Sequence, residues 1–534
     1  MDILHANEMN ILDEYAISHI GIPQCVLMER AALGVWECIA GKTGKTDPAV
    51  LVLSGPGNCG GDGLALSRIL LDKGIDTEVY LPVSREKCKE SIRAEAEYFE
   101  AFGGKIQEVL PDKNYDIIVD ALFGVGLNRP VKDSFEEAVR FINEKREKTG
   151  ACVFSVDIPS GIHTDTGAVL GTAVRADYTV TFSYLKPGLL LYPGREYAGK
   201  IIVKSIGIDS LRIPDSKRNT FTYGADFVTA SCPREKVVLK KRRNDGNKGT
   251  FHRILVIAGS RNMAGAAILC SESALRSGAG LVELYTHEIN REAVLSAVPE
   301  VILNTYGDKT DADISADKAL KDDYSDNDLR NDSPENELAE MTDRSGCVII
   351  GPGLSKSDVA KTLVAGVLKD CKKPVVIDAD GINLISSNAE YRELLKKRHE
   401  NGLITVLTPH PAELERLTGI PVKELLADYE NNVKKTAAEY HVILVGKGAT
   451  TVVSDGERTY FNLSGNNGMA TAGSGDVLSG MTGAFFLNEE NAFEGVCRAV
   501  YAHGLAGDAI SDETGHRGML AGDIIRGIKR LENE

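Results

Sequence analysis

Residues 49–63 read AVLVLSGPGNCGGDG, an apolar run that enters a glycine-rich turn. The segment Ala49–Gly57 has the length and composition of a buried strand, and its glycines allow a tight turn and a close backbone approach to a ligand. A helix is predicted over Leu64–Leu71, directly after the turn. A strand, a glycine turn and a helix in this order indicate an α/β fold with a parallel sheet.

The same alternation continues through the first 209 residues. Helices are predicted within Met1–Gly41 and over Glu86–Phe102. Further strands are predicted at TEVYLP, YDIIVDALFG, ACVFSVDIPSG, ADYTVTFSY and GKIIVKSIGI. Because such alternation places helices on both faces of a parallel sheet, residues 1–209 are predicted to form a Rossmann-like three-layer α/β/α domain.

A second α/β domain is predicted over residues 236–534, after a linker at 210–235. The segment HRILVIAGS begins a new strand and glycine turn, and further strands are predicted at GLVELYT, GCVIIGPG, PVVIDAD, ITVLTPH and VILVGKG. A hairpin is predicted at TTVVSDG and RTYFNL, followed by three helices. Residues 305–343 are predicted to be an acidic surface insertion, because Asp308–Asp343 holds thirteen acidic and four basic residues.

Composition excludes several classes of function. A chain of 534 residues exceeds the size of one core, and a net charge of −16 argues against sequence-independent nucleic-acid binding. No apolar run is long enough to span a bilayer, and the first residues lack the features of a signal peptide. Ten scattered cysteines fit a reducing compartment. The chain is therefore predicted to be cytoplasmic, with no membrane or nucleic-acid partner.

The turn of the first half contains GxGxxG, which alone suggests dinucleotide binding. The next predicted strand ends at Tyr80-Leu81-Pro82, without the acidic residue that would bind a ribose, so a dehydrogenase is disfavoured. Asp120 and Asp157 end two other predicted strands, so they could converge with Asn58 around a ligand or a hard cation. Each Asp alone could equally serve as a cap or turn residue.

The first half resembles the NAD(P)H-hydrate epimerase family in GPGNCGGDG, VDALFGVGLNRP, VDIPSGIHTDTG and TFSYLKPG. That family epimerises C6 of hydrated nicotinamide rings, and Asp157 is the candidate acid or base. The resemblance implies substrate contacts at Asn58, Cys59, Gly60, Gly61, Asp62, Gly124, Val125, Gly126, Leu127, Asn128, Arg129, Pro130 and Asp157. It also implies a potassium ion at Cys59, Asp120 and Ser160. The family usually has Asn where this chain has Cys59, and a thiol is a poor ligand for a hard cation.

The second half contains NLSGNNGMATAGSGDVLSG at residues 462–480, a second glycine turn that precedes an apolar helix. Backbone amides and the positive end of a helix dipole favour an anion there. Asp476 follows at the far edge of the turn, where phosphate oxygens and an attacking hydroxyl would meet. The simpler interpretation is that Asp476 only caps the helix.

The second half resembles the ribokinase-like superfamily and, more closely, the ADP-dependent NAD(P)H-hydrate dehydratases, in TPHPAELERL, KGATT and NGMATAGSGDVLSG. The resemblance implies that Asp476 takes the proton of the attacking hydroxyl while the amides of Ala472–Gly475 hold the transferred phosphate. Nucleotide contacts are expected at Lys447, Gly448, Ala449, Thr450, Thr451 and Gly475. Hydrated nicotinamide contacts are expected at Ala266, Gly353, His410 and Asp476.

These resemblances predict a fused repair enzyme for hydrated NADH and NADPH, with ADP and magnesium in the second domain and potassium in the first. We also expect a homo-oligomer. Two alternatives remain open from the sequence. The second half could be a vitamin or sugar kinase, since GSGD fits that chemistry equally well, and the first half could be a non-catalytic binding module.

Overall fold

The computed structural model describes residues 1–42, 48–211, 219–223, 228–229, 244–246, 248–307 and 334–531. The chain divides into two compact units, Met1–Arg234 and Glu235–Glu534. Each unit is built on a largely parallel sheet, which confirms the predicted α/β class. Most of the predicted linker at 210–235 and of the predicted acidic insertion at 305–343 lies outside the described residues, so these boundaries stay predictions.

The sheet of the first unit is parallel, in the order β3-β2-β1-β4-β5-β6-β7-β9. Its strands are β1 Val50–Ser54, β2 Thr77–Tyr80, β3 Lys105–Gln107, β4 Ile117–Ala121, β5 Cys152–Val156, β6 Tyr178–Phe182, β7 Lys200–Lys204 and β9 Val228–Thr229. The short strand β8 spans Thr220–Phe221, and Phe221 forms an antiparallel bridge with Asp2. Three-residue β3 has no counterpart among the predicted strands, because it is too short to show a period.

Helices cover both faces of this sheet. Val50 and Val52 of β1 pack in one buried cluster, whereas Leu51 and Leu53 pack in another, because side chains alternate along a strand. The helices are Ala6–Glu14, Gln24–Ala40, Asn58–Asp72, Glu90–Ala101, Asp133–Thr149 and Gly194–Tyr197, with a π-helical turn at Tyr15–His19 and 3-10 turns at Arg85–Lys87 and Pro187–Leu189. The three-layer arrangement of the first unit is therefore present.

The glycine-rich segment after β1 differs from its prediction. The helix begins at Asn58 instead of Leu64, so most of the predicted turn forms the first turns of this helix. Glycine is needed there for packing: a Cβ on Gly60 would lie 1.8 Å from the carbonyl oxygen of Gly55, and one on Gly63 would lie 2.6 Å from Cβ of Ala121. The helix thus starts directly against the end of β1 and carries its polar residues to the sheet edge.

The strand order in the second unit is β12-β11-β10-β13-β14-β15-β16-β17-β18. All pairs are parallel except the hairpin pairs β16-β17 and β17-β18. The strands are β10 Arg253–Ile257, β11 Leu281–His287, β12 Ile302–Tyr306, β13 Cys347–Ile350, β14 Val375–Ile377, β15 Thr405–Leu407, β16 Ile443–Gly446, β17 Val452–Ser454 and β18 Thr459–Phe461. The predicted hairpin and the predicted strands are present, and β12 is additional.

Helices of the second unit follow most of these strands. They are Ala264–Arg276, Arg291–Ala297, Pro334–Arg344, Asp358–Asp370, Asp380–Ser387, Ala389–Glu400, Pro411–Thr418, Val422–Ala427, Tyr429–Tyr440, Ser474–Asn488, Ala492–Gly518 and Ala521–Ile528, with 3-10 turns at Glu288–Asn290 and Asn467–Met469. The helix Ser474–Asn488 packs against Ala264–Arg276 and Ala492–Gly518 and contacts β13 and β14. This packing fixes the start of the GSGD helix beside the strand ends.

Two general properties bear on the sequence predictions. The cysteines in the described residues are free thiols, and most are buried. Within the same residues, no helix combines the length and the apolar character that crossing a membrane requires.

Candidate functional site

A cavity of about 490 Å³ lies at the carboxyl ends of the strands in the first unit. Its lining comes from the segments after β1, β4, β5 and β6 and from the first helices of the chain. Ten of the predicted substrate contacts line it: Asn58, Cys59, Asp62, Gly124, Val125, Gly126, Leu127, Asn128, Arg129 and Asp157. Gly60, Gly61 and Pro130 are not among its lining residues, and the substrate contacts remain predictions.

Asp157 is held against a buried lysine at this cavity. Lys186 has an exposed fraction of 0%, and its Nζ donates to Asp157 Oδ1 at 2.6 Å and to Thr181 Oγ1 at 2.8 Å. The Thr181 hydroxyl also donates to Asp157 Oδ1 at 3.0 Å. Asp157 has a φ of 68°, in the left-handed region that non-glycine residues rarely adopt. The backbone and two donated hydrogen bonds together fix this carboxylate at the cavity wall.

No sequence prediction gave Lys186 a role. It lies in TFSYLKPG, one of the segments that carry the family resemblance, between apolar residues on both sides. A lysine in such an apolar segment needs a buried partner, because an unpaired charge in the interior is costly. That composition is the signal that could have identified it.

The predicted potassium ligands lie close together but have unequal chemistry. Asp120 is buried and accepts hydrogen bonds from Ser155 Oγ at 2.8 Å and from Ser160 Oγ at 2.6 Å. Ser160 Oγ also lies 3.3 Å from the carbonyl oxygen of Phe123, so oxygens of four residues gather here. Burial, with the nearby charges of Asp62 and Asp120, raises the pKa of Cys59 well above its usual value, so this thiol stays protonated. The oxygens suit a hard cation, whereas the sulfur does not.

In the second unit, Asp476 lies in the first turn of the helix Ser474–Asn488. Gly473 is the residue that precedes the helix, with a φ of 87°, so Asp476 is not the helix cap. Burial raises the pKa of Asp476 to about 7, the negative charge of Asp378 adds to the rise, and Lys447 opposes it. A carboxyl group with this pKa can accept and release a proton near neutral pH.

The buried Asp378 and the half-buried Lys447 form an ion pair beside Asp476. Lys447 Nζ donates to Asp378 Oδ1 at 2.8 Å, and this carboxylate also accepts from Thr408 Oγ1 at 2.6 Å and from Ser479 Oγ at 2.7 Å. Burial alone would raise the pKa of Asp378, but Lys447 and the hydroxyl groups of Thr408 and Ser479 together outweigh it, so the pKa is lowered. Asp378 therefore stays ionised, and its charge favours the proton on Asp476.

Lys447 lies next to the start of the GSGD helix. A Cβ on Gly475 would be 3.3 Å from Lys447 Nζ, so the absence of a side chain there lets the ammonium approach the first helical turn. Burial lowers the pKa of Lys447, but the charges of Asp378 and Glu413 raise it further, so the ammonium is retained. A fixed cation beside a helix N-terminus forms an anion site. This combination can bind a phosphate and move a proton.

The other predicted contacts occupy separate segments. His410 precedes the helix Pro411–Thr418, and its Nδ1 accepts from the backbone amides of Ala412 and Glu413, so it acts as a helix cap. Gly353 and Ala266 are adjacent, since a Cβ on Gly353 would be 2.8 Å from Cβ of Ala266. Of the predicted nucleotide contacts, Gly448 and Ala449 are exposed, Thr450 is buried and Thr451 is intermediate. Their ligand contacts remain predictions.

Asp378, Thr408 and Ser479 were assigned no role from the sequence. Asp378 directly follows β14 and Thr408 directly follows β15, so both belong to polar strand ends of a parallel sheet. Such ends lie at the edge where α/β proteins bind ligands, which is the signal that could have identified them.

Comparisons with known proteins cover almost the whole chain. Residues 24–188 match the family described as YjeF-related protein N-terminus, and residues 254–530 match NAD(P)H-hydrate dehydratase. The bifunctional NAD(P)H-hydrate repair enzyme Nnr of Thermofilum pendens is 35% identical over 98% of this chain and 94% of that protein. The enzyme of the same name from Coxiella burnetii is 33% identical over 100% of both. Among solved structures, the ADP/ATP-dependent NAD(P)H-hydrate dehydratase from Bacillus subtilis, co-crystallised with ATP/Mg²⁺, is 27% identical with a TM-score of 0.43, covering 55% of this chain and 93% of that chain.

Proposed function

This chain belongs to the family of bifunctional NAD(P)H-hydrate repair enzymes, and we propose that it restores hydrated NADH and NADPH in two steps. The first unit interconverts the R and S hydrates at C6 of the nicotinamide ring. The second unit dehydrates the S hydrate at the expense of ADP. Because both parts of the chain match this family, neither a vitamin or sugar kinase nor a non-catalytic first half is favoured.

Dehydration rests on one observation, which is Asp476 beside the ion pair of Lys447 and the buried Asp378. Asp476 takes the proton of the C6 hydroxyl while that oxygen attacks the terminal phosphorus of the nucleotide. Lys447 and the amides at the helix start stabilise the charge on the transferred phosphoryl group. Phosphate is a better leaving group than hydroxide, so the C6–O bond can then break with loss of a proton from C5, which restores the dihydropyridine ring.

Epimerisation is supported by Asp157, whose carboxylate Lys186 and Thr181 fix at the wall of the 490 Å³ cavity. Because the C6 hydroxyl is attached next to the ring nitrogen, it can leave as water and return on the other face. Asp157 is positioned to take up or return a proton at that oxygen. Lys186 keeps the carboxylate oriented and compensates its charge in a partly desolvated site.

Magnesium and potassium are the proposed metal ions. Magnesium bound with the nucleotide would neutralise phosphate charge. Asp380 is close enough to Asp476 for their charges to interact, and its carboxylate is the proposed ligand from this chain, because magnesium prefers carboxylate oxygens. For potassium, the oxygens of Asp120 and Ser160 are the proposed ligands from this chain, with backbone oxygen in place of the Cys59 sulfur.

The function is tested by incubating the purified full-length chain with a mixture of R and S hydrates and either ADP or ATP. We expect complete conversion to the reduced nicotinamide, followed by its absorbance, together with release of phosphate. ADP should support a higher rate than ATP. Conversion of only the S fraction would contradict epimerisation, and a stable phosphorylated product without the absorbance change would support a kinase instead.

The assembly and the location of the protein are further proposals. We propose a homo-oligomer, which sedimentation velocity of the purified chain tests: a single species at the mass of one chain, 57.5 kDa, would contradict it. A cytoplasmic location is tested by fractionation of source cells.

A further inference from the structure

Asp13 is an acidic residue of the first cavity that the mechanism above leaves unused. It lies in the last turn of the helix Ala6–Glu14, and it lines the cavity together with Asp62, Asp157 and Lys186. Its Oδ1 is buried, and no donor in the described part of the chain reaches this oxygen. An unpaired buried carboxylate oxygen is costly, so retaining one at a cavity wall calls for a function or for a proton on the group.

The charges around Asp13 favour that proton. Burial raises the pKa of Asp13 to about 6, the charge of Asp157 adds to the rise, and Lys186 opposes it. Asp62, on the neighbouring helix Asn58–Asp72, has its pKa raised well above its usual value by burial and by the charges of Asp157, Asp13 and Glu95. Because Lys186 is already paired with Asp157, these carboxyl groups share too little positive charge for all to ionise.

We propose that Asp13 is a catalytic acid of the epimerisation and acts from the helix wall of the cavity while Asp157 acts from the strand ends. This role rests on the proposed function of the first unit. It divides proton donation and proton acceptance between two carboxyl groups on different elements. Such a division suits a reaction in which a hydroxyl group leaves one face of a ring and water adds to the other.

The step balances without any further reactant. Asp13 gives its proton to the C6 hydroxyl, and the C6–O bond breaks with its electron pair leaving on water. The lone pair of N1 forms the N1=C6 double bond. Water then adds to C6 from the other face, the π electrons return to N1, and the released proton goes to the Asp157 carboxylate. Transfer of that proton from Asp157 to Asp13 restores the starting state, so no redox change occurs.

The test uses the full-length chain without nucleotide, so that dehydration does not remove the product. Starting from the R hydrate, appearance of the S hydrate is followed by chromatography. We expect Asp13→Asn to lower kcat by about 100-fold or more, the size of a typical acid contribution, with little change in KM. Asp13→Glu should recover part of the rate. The matched control is Glu14→Gln, which alters the next, exposed residue of the same helix and should leave kcat unchanged.

The pH profile of the wild type gives a second readout that needs no variant. Because the acid must carry its proton, kcat/KM should fall as pH rises above about 6. Asp13→Asn activity within threefold of the wild type would overturn the role of Asp13. If that variant loses its cooperative thermal unfolding, a wild-type kcat/KM that stays level between pH 5 and pH 8 would overturn it. A wild type that does not epimerise at all refutes the proposed function itself, which separates the two failures.

Discussion

Lys447 Nζ and Asp378 Oδ1 are 2.8 Å apart although 69 residues separate them in the chain. Asp378 has an exposed fraction of 1%, so its charge depends on this ammonium and on the hydroxyl groups of Thr408 and Ser479. The pair sets the charge beside Asp476, and it therefore links the stability of the second unit to its chemistry.

Replacing Asp378 should lower both the stability of the second unit and its dehydration activity. In Asp378→Asn the ammonium of Lys447, whose side chain is 19% exposed, loses its buried counter-charge, and removal of one partner of a buried pair costs up to about 3–5 kcal/mol. We expect a matching loss in the free energy of unfolding, measured by urea denaturation, and a loss of dehydration. The control is Asp358→Asn, because Asp358 pairs with Lys361 at the exposed surface and should contribute little. If the two variants lost equal amounts of unfolding free energy, burial of Asp378 would not be the cause of the loss.

Asp476→Asn should abolish dehydration and leave epimerisation intact. The amide keeps the shape of the side chain but cannot take a proton, and loss of such a group typically lowers the rate by about 10²–10⁴-fold. The measurement is the nucleotide-dependent gain of reduced nicotinamide absorbance from the pure S hydrate. R-to-S conversion by the same sample is the internal control. Retained dehydration would show that another group accepts the proton.

The same substitution should stabilise the folded chain in a defined pH range. The pKa of Asp476 rises from 3.8 to about 7 on folding, so between these values the folded state holds a proton that the unfolded state has lost. Stability contributed by this group is therefore present below pH 4 and is lost as pH rises to 7. At pH 8, Asp476→Asn should be more stable by on the order of 4 kcal/mol at most, from 1.36 kcal/mol per pKa unit.

This pH-dependent stabilisation is checked by measuring the Tm of Asp476→Asn and of the wild type from pH 4.5 to pH 8.5 and taking the difference. We expect the difference to grow up to pH 7 and then to become constant, since both states are ionised above that value. A difference that does not change with pH would mean that the carboxyl group titrates alike in the folded and unfolded chain.

Lys186→Met should remove epimerisation while dehydration continues. Methionine retains most of the volume of the buried side chain but leaves Asp157 without its closest donor. We expect at least a tenfold loss in the rate of R-to-S conversion, because a carboxylate held by Thr181 alone is less well oriented and has no charge compensation. Lys200→Met is the control, since Lys200 is an exposed lysine on the neighbouring strand β7. If Lys186→Met retains the full rate, the pair serves stability alone.

Cys59→Asn should make epimerisation more sensitive to potassium. The substitution exchanges a protonated thiol for an amide oxygen, which is a better ligand for a hard cation. We expect the potassium concentration at half-maximal rate to fall severalfold, measured in sodium-free and potassium-titrated buffer. Cys59→Ala is the control that supplies no ligand atom. If both variants keep the potassium response of the wild type, the position does not bind the ion.

The sequence predicts the strand ends well because they depend on local pattern. Apolar runs followed by Asp120, Asp157 and Asp378 are visible in the sequence, and parallel pairing places these ends at one edge of each sheet. Helix onset is less visible, since Asn58–Gly63 reads as a turn by composition and is helical because its glycines pack against β1 and β4. Tertiary packing decides that boundary.

The partners of the site residues could not be predicted for a different reason. Lys186 lies 29 residues after Asp157, and no sequence spacing encodes their contact. Raised pKa values at Asp13 and Asp476 likewise depend on burial and on charges brought in by distant segments. The sequence pattern identifies side chains that can react, whereas contacts with distant segments decide the protonation state of those side chains.

The positive φ of Asp157 limits which residues this position tolerates. At 68°, a residue with a plain or branched Cβ is strained by about 1–2 kcal/mol or more, whereas glycine adopts the left-handed region readily and asparagine and aspartate do so more often than other residues. Natural variants should therefore carry only a few residue types at position 157, even in lineages that have lost the activity. A laboratory library at this position should show the same restriction in its expressed, folded members.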